Sequence, residues 1–281
     1  MELKTTVYQK ANNKKLGKLL RESLSDMYNS RFLAKQLAIR DIKAQYRQSF
    51  LGILWAFITP LSTALIWIIL SKSGTVKLSD TGVPYPVFVF AGTLLWSIVI
   101  ESINAPMTNT NGARSIITKI NFPKEALILS GVYKLISNSF VKILLLLVFL
   151  IVYGVGFHVS ILLFPLAFIG IVFFGTTIGL FITPLGMLYN DVGKIISMGL
   201  SFLMYATPVV YVIPKTGLLK ILMEANPLTP LLLTTKNLLF GQQIEYLLYY
   251  FGVFAVCIPL FFIGLVFYRI SIPIIVERMS A

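Results

Sequence analysis

Lys134, Asn138 and Lys142 stand four residues apart, so a helix carries all three on one face. They lie in a long apolar stretch, where a polar or charged group is costly and marks a functional candidate. Lys134 can snorkel toward water along its aliphatic stem. Lys142 lies about 12 Å further along the helix and needs a pore, an acidic partner or a bound anion. Glu101 is the obvious counter-charge, provided the two depths match; the other reading is a lysine that steers phosphate groups. A second basic set, Arg40, Lys43 and Arg47, recurs on one side of a helix just before an apolar run. It suits contact with anionic headgroups.

Catalytic groupings are missing from the sequence. His158 is the single histidine, so neither a metal cluster nor a Ser-His pair can be built around it. Asp191 has no nearby acid to pair with. Cys257 is the single cysteine and sits in an apolar run, which leaves no disulfide framework and reads as a small buried or lipid-facing residue. No G-x-x-x-x-G-K-[ST] phosphate loop is present. The nearest approach, Gly186 to Lys194, has six residues between its glycines and Ile195 where Ser or Thr would hold Mg²⁺. The chain reads as a non-enzyme that binds no cofactor of its own.

The elements that position these residues are set by hydropathy. The 281 residues are 57% hydrophobic and only 12% charged, against roughly 25% in soluble domains. Mean hydropathy is +0.83, and such excess apolar surface must face lipid. We expect an all-α integral membrane protein with six transmembrane helices near Leu51–Leu70, Tyr85–Ile103, Lys134–Val155, Ile161–Phe181, Ile195–Ile213 and Tyr246–Tyr268. No cleavable signal peptide is visible, because the first forty residues are polar and basic. Basic residues crowd the N-terminal fifty, the second-to-third connection and the C-terminal tail. The positive-inside rule therefore puts both termini in the cytoplasm. The same rule explains the net charge of +13 without a nucleic-acid partner.

Three local patterns refine this outline. Tyr28, Phe32, Lys35, Ile39, Ile42, Tyr46 and Phe50 recur every three or four residues, which predicts an N-terminal amphipathic interfacial helix within residues 1–50. GTTIG, Gly175 to Gly179, is a small-residue face for close helix packing with an unspecified partner. Residues 214–243 hold two short apolar pieces, Leu218–Met223 and Leu228–Phe240, broken by Pro227 and Pro230. They predict short re-entrant helices before the last span, or else amphipathic helices on the outer surface.

Two of these stretches are also familiar. RDIKAQYRQSFLGILWAFITPL, Arg40 to Leu61, resembles the approach to the first span in permease subunits of ABC transporters that export polysaccharides, the O-antigen, capsule and wall teichoic acid exporters. ITKINFPKEALILS, Ile117 to Ser130, resembles that family's K-x-x-F-P-[KR]-E pattern between the second and third spans. The resemblance covers nearly the whole chain. It implies a homodimeric half-transporter in the bacterial cytoplasmic (inner) membrane, with a transmembrane domain over 51–268 and a tail over 269–281. Two copies of a separate ATPase would carry ATP and Mg²⁺.

A coupling helix at about 112–125, with Lys119, Asn121, Phe122, Pro123 and Lys124, would receive the ATPase. In that reading Phe122 is an exposed knob beside the rigid Pro123, and residues 214–243 form an outer gate. Arg40, Lys43 and Arg47 become a rim for the headgroup of a lipid-linked polysaccharide. Sugar faces stack on aromatic rings, so Trp55, Phe57, Phe202, Tyr205 and Tyr211, together with Lys142, are channel-lining candidates. Trp67 and Trp96 are further rings, although Trp and Tyr also gather at membrane interfaces. An ABC exporter of drugs or lipids is the alternative within the superfamily. An ATP-independent channel or a scaffold for glycan synthesis is the alternative outside it.

Overall fold

The computed structural model describes residues 16–47, 50–74 and 80–280, and all regular structure among them is helical. In chain order the helices are α1 (Leu16–Asn29), α2 (Arg31–Arg47), α3 (Trp55–Lys72), α4 (Tyr85–Gly112), α5 (Arg114–Ile117), α6 (Glu125–Val152), α7 (Phe164–Leu188), α8 (Asp191–Tyr205), α9 (Leu218–Ala225), α10 (Leu228–Phe240) and α11 (Leu247–Ser280). Lys4, Lys10, Lys14, Lys15 and Lys77, and the side chains of Tyr46 and Phe57, lie outside the described residues.

Among the described residues four helices are long and apolar enough to cross a membrane: α4, α6, the run Val159–Leu188 that includes α7, and α11. Two of the six expected spans fall short. α3 is 18 residues long, and its apolar run among the described residues is Ile58–Lys72. The expected helix 195–213 begins earlier, at Asp191, and stops at Tyr205. α11 runs on to Ser280, so residues 269–280 continue the last helix. Its 34 residues span about 51 Å, well beyond a hydrocarbon core of about 30 Å.

α4 is the axis of the bundle. From Val87 to Val99 nearly every side chain is buried, as expected of a helix that is apolar all round. It packs on α3, α6, α7 and α10. GTTIG faces α4: a Cβ at Gly175 would overlap Ser102, and one at Gly179 would overlap the Ile103 carbonyl oxygen. The small residues thus bring two backbones together where hydrophobic driving force between helices is missing.

The end that carries α1, α5 and the C-terminal turns of α11 is called the basic end. At the opposite end the chain after α8 unwinds over residues 206–213 while staying inside protein. Thr207, Val209 and Val210 are fully buried. Backbone without helical bonds is tolerated at that depth only if its polar groups find partners. Asn226 Nδ2 donates to the Ala206 carbonyl at 3.0 Å, and the Tyr85 hydroxyl donates to Val210 at 3.1 Å. The buried Lys236 donates to Pro208 and Val209 at 3.1 and 3.2 Å, with its ammonium 3.3 Å from the centroid of the Phe88 ring. α10, which carries Lys236, is buried along its length, whereas α9 exposes Leu218, Ile221 and Leu222.

Gly92 of α4 is where the unwound segment comes closest, since a Cβ there would overlap the Val209 carbonyl oxygen. Gly92→Val is expected to cost about 2 kcal/mol or more, read as a lowered unfolding temperature of the detergent-solubilised protein. Gly199→Ala, where a Cβ meets nothing within 4 Å, is expected to leave that temperature unchanged.

Candidate functional site

The connection from α4 to α6 is a short helical turn, α5, followed by non-helical residues 118–124. It is therefore not the continuous coupling helix expected over 112–125. Pro123 and Lys124 open α6: their carbonyls accept from Ala126 and Leu127 at 3.1 and 3.0 Å. Glu125 follows in the first turn, where the helix dipole favours a carboxylate.

Four elements meet at Glu125. Its side chain is only 3% exposed and pairs with Arg269 of α11. Arg269 also binds Asp26 at 2.7 Å and Glu22 at 3.6 Å, both on α1. Ser23 of α1 donates to Glu125 at 2.9 Å. One turn of the network away, the fully buried Tyr268 places its hydroxyl 2.9 Å from Thr110 Oγ1 of α4 and 3.3 Å from the Lys124 carbonyl, to which it donates. Arg114 reaches the other way, donating to the Met187 carbonyl at 2.6 Å. That carbonyl belongs to the last turn of α7, where helical partners run out. The connection is thereby bolted to α1, α4, α6, α7 and α11.

The expected knob points elsewhere. Phe122 is turned inward and half-buried, packed with Leu37, Ala113, Ile117 and Leu127. Lys124 covers it, its ammonium 4.6 Å from the ring centroid. Burial lowers the pKa of Lys124, and Glu125 partly offsets this. The exposed residues are Thr118, Lys119, Ile120 and Asn121, and the large apolar one among them is Ile120, 58% exposed. Sequence reading passed over Ile120 because an aromatic beside a proline looked the better knob. It also passed over Glu125 and Arg269, which are 144 residues apart.

The remaining candidates separate into distinct places. Lys142 is buried, paired with Glu101 and donating to Ser97 at 3.1 Å, so the counter-charge reading holds and its depth matches. It does not face a channel in the single chain. α2 packs along α6 through Ala34, Leu37 and Ala38, while Tyr28, Phe32 and Phe50 of the expected stripe are exposed. Arg40 is held by Asp41 at 2.7 Å, and Lys43 and Arg47 are exposed. Trp55, Phe202 and Tyr205 are exposed; Tyr211 is half-buried and donates to the Tyr205 carbonyl. Trp67 joins the last two, its ring centroid 6.4 Å from Tyr205 and 6.3 Å from Tyr211. Trp96 is buried in the core.

Four long apolar helices, a bolted connection at the basic end and an unwound, carbonyl-saturated segment at the other define a polytopic α-helical membrane protein. Residues 33–240 match the ABC-2 type transporter family, and the chain belongs to it. It is 27% identical to the O-antigen export system permease protein RfbA of Myxococcus xanthus over 222 residues, 78% of this chain and 84% of that protein. It is 26% identical over 261 residues to a protein of the same name from Klebsiella pneumoniae, covering 89% of this chain and 98% of the relative.

Arg269→Ala would leave Glu125 buried without its cation, which costs about 3–5 kcal/mol. The expected outcome is a lower unfolding temperature and rapid proteolysis within α1. The pair Arg269→Met with Glu125→Gln is expected to recover most of that loss, because the carboxylates that lose Arg269, Glu22 and Asp26, are 29% and 28% exposed and reach water.

Proposed function

We propose that two copies of this chain form the membrane part of an ABC exporter that moves a lipid-linked polysaccharide outward across the bacterial cytoplasmic membrane. The glycan would be of the O-antigen, teichoic acid or capsule kind. The basic end is cytoplasmic, in accord with its Lys and Arg excess, and α3 and α8 complete six spans. The names of the relatives support the substrate class.

The observation that carries this reading is α8. Of its 15 residues only Leu200 is buried, and Ser197, Ser201, Phe202 and Tyr205 are exposed. Ser197 and Ser201 donate back to the Gly193 and Ser197 carbonyls at 2.8 and 2.9 Å, which leaves their hydroxyl oxygens to accept. A helix lining a wet passage for sugars uses such acceptors for sugar hydroxyls and its ring faces for sugar C–H groups. α3 meets the top of α8 through Trp67, so Trp55 and Tyr211 belong to the same wall. A second copy against α3 and α8 would close that wall into a channel.

The motor is a separate ATPase, present in two copies, with ATP and Mg²⁺ bound there. It docks at residues 119–124, where Ile120 inserts and Phe122, Pro123 and Lys124 hold the loop rigid. Motion there passes through Glu125, Arg269 and Tyr268 to α6, α11 and α4. Arg40, Lys43 and Arg47 form the rim met by the anionic headgroup of the substrate.

Two measurements test this. Single cysteines at Ile195, Met198 and Phe202, in a Cys257→Ser background, are expected to give cross-linked dimers in membranes, while one at Ile136 on the exposed face of α6 gives none. Monomer alone from all three α8 positions would sink the channel. Purification of the tagged protein from its own cell is expected to bring down a Walker-motif ATPase. Ile120→Asp is expected to release that ATPase while leaving the unfolding temperature intact.

A further inference from the structure

Between α2, α4 and α6, toward the basic end, lies a cavity of about 330 Å³ to which the transport reading gives no role. Its polar wall is formed by Gln45 of α2, Glu101, Asn104, Thr108 and Asn109 of α4, and Lys134 and Asn138 of α6. That concentration of polar groups between apolar helices calls for a ligand or a reason.

Three groups in the wall lack a partner for at least one polar atom. Asn109 is 8% exposed, and its Nδ2 donor has no hydrogen-bond partner. A buried donor left unmade is costly, and native structures seldom keep one without cause. Gly131 opposite has no side chain to fill the space, and a Cβ there would come within 2.7 Å of that Nδ2. Lys134 has no carboxylate within 4 Å among the described residues. The acid in the wall, Glu101, pairs with Lys142 through Oε1, while its Oε2 is buried without a partner. The cavity thus presents one uncompensated cation and one orphan donor, which suit an anion, beside one orphan carboxylate oxygen, which suits a hydroxyl of the same ligand.

We propose that this cavity is a phosphate-binding site, filled by the diester phosphate of a phospholipid from the adjoining leaflet and held by Lys134 Nζ and Asn109 Nδ2. A phosphate diester offers two unesterified oxygens, so it accepts from an ammonium and an amide at once. Lys134 lies nine residues into α6, about 14 Å from Glu125 along the axis, near the depth where headgroups meet the hydrocarbon. One wall is α2, whose Phe32 is exposed as an interfacial helix requires. Gln45 and Thr108, the exposed members of the lining, mark the mouth. A lipid seated there bridges α2 to the bundle. Binding of this kind is independent of what the protein transports.

The test is native mass spectrometry of the full chain in mild detergent, titrated with phosphatidylglycerol and, separately, with glycerol 1-phosphate. One phospholipid per chain is expected to survive ejection. Lys134→Gln is expected to weaken its affinity about tenfold, the loss of one charge-assisted hydrogen bond. Asn109→Ala is expected to weaken it less, and Lys215→Gln at the other end to leave it unchanged. Glycerol 1-phosphate is expected to bind far more weakly than the lipid. Equal binding of the two would keep the phosphate site and remove the lipid as its source. Wild-type lipid affinity in both Lys134→Gln and Asn109→Ala, each folded by thermal unfolding, would overturn the proposal.

Discussion

Within hydrocarbon a backbone carbonyl or a charged side chain cannot fall back on water, so each must find its partner inside the chain. The structure is organised around three places where a helix ends or a charge is buried. At the basic end Arg269 gathers Glu22, Asp26 and Glu125. Midway, Lys142 is matched by Glu101 and Ser97. At the far end Lys236, Asn226 and Tyr85 absorb the carbonyls released where α8 stops. Each is a cross-link between helices distant in sequence, and together they fix how α4 sits against its neighbours.

These cross-links also divide the molecule into a stiff part and a loosely held one. α4, α7 and α11 are packed through small residues and rings, and the connection between α4 and α6 is bolted to all of them. α3 and α8 have little of this: α8 buries a single side chain, and its contact with α3 is aromatic, at the far end. A force applied at residues 119–121 would be delivered through the stiff part and expressed where packing is weakest. In the transport reading that is the wall of the passage. The arrangement suits a protein whose energy arrives from outside its own chain.

The membrane class was legible because it depends on composition and run length alone. The basic asymmetry likewise depends only on counting residues beside the spans. Span boundaries were less legible. The apolar run continues through residues 206–213; Pro208 is a local sign that the helix ends near Tyr205, but nothing local in ATPVVYVI shows that the chain beyond it stays buried. It does so because Asn226, Lys236 and Tyr85, all distant in sequence, are there to take the carbonyls of residues 206–210. The stripe from Tyr28 to Phe50 was read correctly as apolar, yet the face that packs on protein is the smaller one, Ala34, Leu37 and Ala38.

The sequence by itself determined that this chain is an α-helical membrane protein, which end is basic, and that Lys142 needed a pore, an acidic partner or a bound anion. Hydropathy, charge and helical spacing are local or additive properties, and they survive without knowledge of the fold. Only the tertiary structure decided that Phe122 packs inward while Ile120 is exposed, that Glu125 belongs to Arg269, that GTTIG serves α4, and that Lys134 and Asn109 share one cavity. Each of these depends on which helices are neighbours. Neighbours are chosen by close packing and by the pairing of polar groups across the bundle, and neither leaves a mark within a single helix.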